Sequence, residues 1–492
     1  MSHHKSRRHA PPQLNLAAGE LFGNDAGEDE RPEILSSYFV DQPAFSPFLD
    51  PDEMLRIGMS RKGMGKSALL SKLAYSLPRS TEGVKHVVIQ TTGADLAGLG
   101  TFPEPDFALL QNYWKQILCA RINLELGKRI GVAFGDTRMA LVENAEISGF
   151  RGKNLVGSLI ARLSSDKIPL KVTARKAENH LELLKRAADE FADSCVWLLV
   201  DDIDSTYVNS PELKARISTF FSACRSLVRD VQGLRIRASV RTDVWSVLRD
   251  NEDLDKCQQY ITEIAWSKPE LRRMLAKKVL SYIQRNYPAG TPGYDWDLDS
   301  REEELLELVF MHRLRWGQTY VPPFQPIGIL SAGRPRWVAQ LCRMAGEEAF
   351  KKHKKRIGIQ DVNTVMKPFG RYRLNDVYRE HSHQFSDLQR LIETFAHGKR
   401  RYSTRELNDK LATDYIFRVG IPNIPTIDNY PYKTPRQFSH FLFKIGFVAG
   451  RISFNEFVTY QDRPELLTNT TNLDDGMDWE IYPSYRQVLR IS

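Results

Sequence analysis

Cysteine is scarce and scattered. Cys119, Cys195, Cys224, Cys257 and Cys342 are the whole complement, and no two form a C-x-x-C pair. Neither a disulfide framework nor a cysteine zinc site is indicated. Long apolar runs are missing too, so no segment reads as a membrane span. No n-h-c signal opens the chain. A reducing cytosol is the expected location, with no membrane partner. Charge of one sign is also in short supply. The net charge of +8 is modest for 492 residues, so it permits nucleic-acid contact without requiring it. Hydrophobic residues at 42% and charged residues at 26% leave an ordinary globular composition, in a chain too long for a single core.

What is present centres on residues 54–77, MLRIGMSRKGMGKSALLSKLAYSL. An apolar run, Met54 to Met59, precedes the octapeptide SRKGMGKS, and Ala68 to Leu77 carries leucines at helical spacing. Strand, glycine loop and helix make the context of a phosphate-binding loop. Gly63 and Gly65 let backbone N–H groups turn inward around a phosphate. The helix start adds its positive end. Lys66 offers a point charge to the outer phosphates, and Ser67 a hydroxyl for Mg²⁺. The nucleotide-binding set is Ser60, Arg61, Lys62, Gly63, Met64, Gly65, Lys66, Ser67 and Ala68. Its first position departs from G-x-x-x-x-G-K-[ST], because Ser60 stands where glycine is usual.

A second motif is VWLLV followed by Asp201, Asp202, Ile203 and Asp204. A buried parallel strand ending in paired carboxylates delivers both acids where ligands bind in α/β sheets. Asp201 is assigned to Mg²⁺, and Asp202 to orienting and deprotonating the attacking water. Lys85 and its neighbours, within residues 84–90, and residues 234–240 and 260–266 read as further strands. The expected core is therefore a five-stranded parallel α/β sheet. Arg241, at one strand end, is a catalytic candidate, as a phosphate sensor or an in-trans finger, and reads equally as an arginine paired with Asp243 or another acid.

The expected domains are a basic disordered tail at 1–20 and a nucleotide-binding core at 21–267, with an insertion near 130–175. A helical lid follows at 268–370, and a winged-helix-like domain at 371–492. In the lid, Gly333 and Pro335 introduce a helix that carries Arg334 and Arg336 at its start. The run Lys351 to Arg356 reads as a solvated face. In the last domain, Ser403 opens a Ser-x-x-Glu capping box. The helix near 435–445, with Lys433, Arg436, Gln437, His440 and Lys444, reads equally as a DNA contact or as protein packing.

The order SRKGMGKS, VWLLVDDID, SVRTDVW, GRPR and a winged-helix-like tail resembles the AAA+ and STAND P-loop NTPases over roughly residues 21–492. It is similar to bacterial stand-alone P-loop ATPases that carry an FGN-acidic stretch ahead of the loop, here Phe22, Gly23, Asn24 and Glu28 to Glu30. The resemblance implies ATP with Mg²⁺, ATPase activity, self-association and a sensor role for Arg336. It also implies a setting in anti-phage defence or mobile-element biology. Asp202 stands where fast motors have glutamate, which implies slow hydrolysis. The leading expectation is a nucleotide-controlled switch acting on a separate effector protein. The alternative is a DNA-binding loader or initiator-like ATPase. A metabolic kinase fits poorly, since no acceptor domain is apparent.

Overall fold

The computed structural model describes residues 13–491, apart from 80–84, 131–135, 149–178, 191–192, 249–251, 421–422, 424–425, 428–429, 433, 454–456, 469–473 and 475. Most of the expected insertion, the first part of the expected tail, and Lys433 lie outside the described residues. The chain divides into two compact units. One is built from Asp41–Arg61 and Gly65–Ala265, the other from Met1–Val40, Lys62–Met64 and Trp266–Ser492.

The first unit holds the five-stranded parallel sheet. Its strands are β1 (Leu55–Ser60), β2 (Lys85–Thr92), β3 (Ser194–Asp201), β4 (Leu234–Arg241) and β5 (Ile261–Glu263), in the spatial order β2-β3-β4-β1-β5. Parallel strands need both faces covered, and their sequences are accordingly near-continuous apolar runs. Trp197 through Val200, Ile236, Ala238, Val240 and Ile57 are all buried. The covering helices include Lys66–Ser76, Phe107–Arg129, His180–Glu190 and Pro211–Asp230. Residues 136–147 sit inside the expected insertion near 130–175, and Asp136–Ile147 is a helix. Its buried Leu141, Val142 and Ala145 are too few for periodicity to reveal it.

The strand order has a direct consequence for function. β4 is inserted between β1 and β3, with Ala238 paired to Ile57 on one side and Val200 on the other. The loop after β1 and the acids after β3 therefore leave the same edge of the sheet. They are about 10 Å apart, two strand spacings.

The second unit has two apolar cores. One gathers the lead-in helix Gly19–Phe22 with the helices Lys268–Asn286 and Pro335–Lys351. Leu14 and Leu16 are buried in it, so the disorder expected for 1–20 does not extend to those residues. Two leucines in a polar tail gave no periodic signal, but each finds a groove to fill. The helix Ile359–His381 runs through residue 370, where a domain boundary was expected, and contributes Phe369 to this core and Val377 to the next. The basic run before it, Lys351 to Arg356, is not merely solvated. Lys354 donates to the fully buried Asp361 at 2.7 Å.

The C-terminal core is built from the helices Leu388–Glu393, Thr404–Lys410 and Pro435–Lys444 and a four-stranded antiparallel sheet. Its strands are β6 (Arg401–Ser403), β7 (Val448–Arg451), β8 (Phe457–Val458) and β9 (Asp478–Ile481), ordered β8-β7-β9-β6. The Ser403 capping box is formed: its side chain accepts from the Glu406 N–H, and Glu406 accepts from the Ser403 N–H. Among the described residues, no helix is long and apolar enough to cross a membrane.

Candidate functional site: the phosphate loop and the acids of β3

In the sheet unit, β1 ends at Ser60, which is buried, and the helix Lys66–Ser76 begins six residues later. Gly65 precedes that helix with φ +99°, a left-handed conformation that a side chain would disfavour. Being glycine, it offers no side chain to cap the helix, so the first-turn N–H groups have no side-chain acceptor there. Lys66 is 8% exposed and its ammonium folds back into the loop. It donates to Ser60 O at 3.2 Å, to Arg61 O at 3.4 Å and to Ser60 Oγ at 3.5 Å. Ser67 and Ala68 occupy the first turn of the helix.

At the end of β3 the two acids part company. Asp201 is half-buried, and its carboxylate accepts from the Ser239 hydroxyl, one strand over on β4. It also accepts from the Asp202 N–H at 3.0 Å. Asp202 is exposed and has φ +50°. That turn is pressed from beneath: a Cβ on Gly93, just past β2, would lie 2.8 Å from Asp202 O and 2.7 Å from the Ile203 Cα. Ser239 and Gly93 were not singled out in the sequence. A serine at the end of a strand and a glycine after one are common, and only the strand order makes these two neighbours of the acids.

Arg241 is engaged by acids. Its Nε lies 3.1 Å from Asp204, which is 1% exposed, and its Nη2 lies 3.4 Å from Asp243. The expected pairing with Asp243 is present, and Asp204 is an added partner.

The tip of the loop, Lys62–Met64, belongs to the other unit. There Trp266 Nε1 donates to Met64 O at 2.8 Å, and the Arg336 N–H to Gly63 O at 3.3 Å. Gly63 has φ +79°, and the Arg336 side chain packs on it. Arg334, rather than Arg336, is the deeply buried arginine of GRPR. It donates to Lys62 O at 3.2 Å and to Glu380 at 2.8 Å, both ends of that pair being nearly inaccessible. Burial opposes the charge on Arg334, but Glu380 outweighs it and raises its pKa above the usual arginine value. The Lys62 N–H points at the other Glu380 oxygen, at 3.4 Å. Arg336 Nε donates to Asp25 O at 3.0 Å, in the acidic lead-in.

In the C-terminal core, most of the residues singled out for DNA contact are used internally. Arg436 binds the fully buried Asp474, at 3.1 Å from Nη1, and Thr468 O at 2.9 Å from Nε. Gln437 closes a capping box with Thr434. The His440 ring lies 3.0 Å from Leu466 O, and burial lowers its pKa.

The loop has the donor set a nucleotide needs: a helix start with no side-chain cap, a lysine that donates to loop carbonyls and the Ser60 hydroxyl, and two positive-φ glycines. Ser67 and Asp201 are the oxygen ligands suited to Mg²⁺, which takes few protein ligands and completes its shell with phosphate and water. Strand order, loop and paired acids together define an α/β P-loop fold. No protein-family model matches the chain, and no curated protein is similar to it. Solved structures with a similar overall course include the Aeropyrum pernix ORC2 protein in ADPNP–ADP complexes, at 13% identity and TM-score 0.39, covering 98% of this chain and 94% of that one. Cdc6p from Pyrobaculum aerophilum is similar at 13% identity and TM-score 0.32, covering 94% of this chain and 98% of that one. The Thermotoga maritima RuvB Holliday junction branch migration motor is similar at 13% identity and TM-score 0.31, covering 85% of this chain and 90% of that one. At that level of identity and superposition none of them assigns a function to this chain.

Proposed function

We propose that the chain is an AAA+-type ATPase that binds ATP with Mg²⁺ and uses hydrolysis to switch state. The observation that carries this reading is the order β2-β3-β4-β1-β5, which sends the Lys66 loop and the Asp201–Asp202 turn off one sheet edge. Lys66 and the first turn of its helix hold the outer phosphates. Ser67 and Asp201 hold Mg²⁺, whose charge offsets that of the phosphates. The Ser239 hydroxyl fixes the rotamer of Asp201 for this task. Asp202, exposed at the turn, takes the proton of the attacking water. Arg336 is the arginine that reports which nucleotide is bound, since its backbone N–H is tied to the loop tip at Gly63. Self-association accompanies ATP binding in this reading.

For what the switch controls, a DNA-binding loader is the better supported setting. The net charge of +8 permits nucleic-acid contact, whose affinity would fall with salt. The internal commitments of Arg436, Gln437 and His440 argue that such contact does not run through the Pro435–Lys444 helix in the manner of a winged-helix recognition helix. A partner-regulating switch in anti-phage defence or mobile-element biology rests on the sequence resemblance alone. The test is ATP hydrolysis by the purified chain, with and without duplex DNA, across a salt series. Turnover that requires Lys66 and DNA affinity that falls steeply with salt support the loader. Turnover without DNA binding supports the partner switch, and no turnover with no ATP binding removes both.

A further inference from the structure

A basic cavity lies in the sheet unit, away from the loop. The helix Pro211–Asp230 starts beyond the Asp201 end of β3 and returns the chain to the start of β4. Ser222, Arg225, Ser226 and Arg229 lie on its later half, at spacings of three, four and seven, and so share one face. With Gln111 of the Phe107–Arg129 helix and Lys256, that face lines a cavity of about 210 Å³. A water molecule's share of liquid volume is about 30 Å³, so the space holds a hydrated tetrahedral anion.

The lining has three cations and no carboxylate. Among the described residues, Arg225, Arg229 and Lys256 form no ion pair. The nearest acid on the helix, Asp230, accepts from Ser226 at 3.1 Å and is balanced by Lys115 at 3.6 Å. Two buried groups lack partners: the Oγ of Ser222, a residue only 9% exposed, and Nε of Arg225. Buried polar atoms are mostly hydrogen-bonded, and unpartnered donors beside three cations that form no ion pair are available to an anion.

We infer that this pocket binds a phosphate group. Guanidinium forks match phosphate oxygens, and hydroxyl and amide donors complete the shell around a tetrahedral anion. The phosphate belongs either to free oligophosphate or to the backbone of a nucleic-acid strand, since the recognising chemistry is the same. This inference does not depend on the ATPase reading.

The test uses the full chain carrying Lys66→Ala, so that loop binding does not obscure the pocket. Affinities for tripolyphosphate and for a single-stranded oligonucleotide are measured with and without Arg225→Gln and Arg229→Gln together. Melting temperatures are recorded alongside, and Arg229→Gln alone, at an exposed position, covers the case in which the pair misfolds. A loss of tenfold or more for tripolyphosphate alone identifies a small-anion site. The same loss for the oligonucleotide, with or without tripolyphosphate, identifies a backbone contact. Equal affinities for both probes in the folded variants, or no binding of either probe before mutation, overturn the site.

Discussion

Two helix starts in this molecule were open to a ligand reading, and they are built in opposite ways. The Lys66–Ser76 helix begins after a glycine with no cap, and its lysine is held by Ser60 and Arg61 through carbonyls and a hydroxyl at 3.2 to 3.5 Å. The Pro435–Lys444 helix begins with a complete capping box, and its arginine is locked to a carboxylate with no solvent access. A cation kept for a ligand has weak, replaceable partners. A cation kept for the fold has a buried opposite charge. Residue type alone does not separate the two cases, but partner chemistry does.

The largest expected break comes at the locked end. Arg436→Ala leaves Asp474 buried and unpaired, and removing one partner of such a pair costs about 3–5 kcal/mol. Denaturant melts should show a large fall in midpoint. A chain of unchanged stability that has lost DNA affinity would instead make this helix a contact surface. Lys66→Ala should do the reverse, lowering ATP affinity at least about a hundredfold, near 2.7 kcal/mol, with little change in melting temperature. Calorimetric titration with ATP checks it, and an unaltered affinity removes the phosphate-loop assignment.

A subtler contrast is offered by Asp202→Asn, which keeps the shape and removes the proton acceptor. Turnover should fall by about two orders of magnitude or more while ATP affinity stays within a few-fold. Wild-type turnover would return the role to another group. The smallest effect is expected from Arg336→Ala. Its guanidinium donates to the backbone carbonyl of Asp25 at 3.0 Å, and the fold should survive the substitution. The ratio of ATP to ADP affinity should shift by up to about tenfold, roughly 1.4 kcal/mol. A lower melting temperature with an unchanged ratio would make Arg336 a purely structural residue.

The elements that could be read in advance were those whose chemistry is local. An apolar run ending in Asp201 and Asp202 is a strand wherever it lies, and SRKGMGKS between a strand and a helix is a loop built from its own glycines. The capping box at Ser403 needed only four residues. What could not be read depends on residues distant in the chain. That Ser239 meets Asp201 follows from β4 slipping between β1 and β3, which no local pattern encodes. Arg334 and Arg336 are two apart, and nothing in GRPR says which of them Glu380 claims. The same holds for Arg436, whose partner lies 38 positions away. β5 spans Ile261–Glu263, shorter than the apolar run suggested, because β1 offers it only three paired positions, Ile57 to Met59.

The left-handed backbone at Asp202 bears on why aspartate occupies that position. At φ +50° most side chains crowd their own carbonyl, whereas aspartate and asparagine are the residues that tolerate it best after glycine. Gly93, pressed against the turn, leaves the backbone little room to relax toward a helical or extended value. A longer acid would reach further toward a water but would sit on a backbone that disfavours it. In this chain the choice between the two acids falls to main-chain geometry, and any gain in reach from Asp202→Glu would be set against the conformational cost of the turn itself.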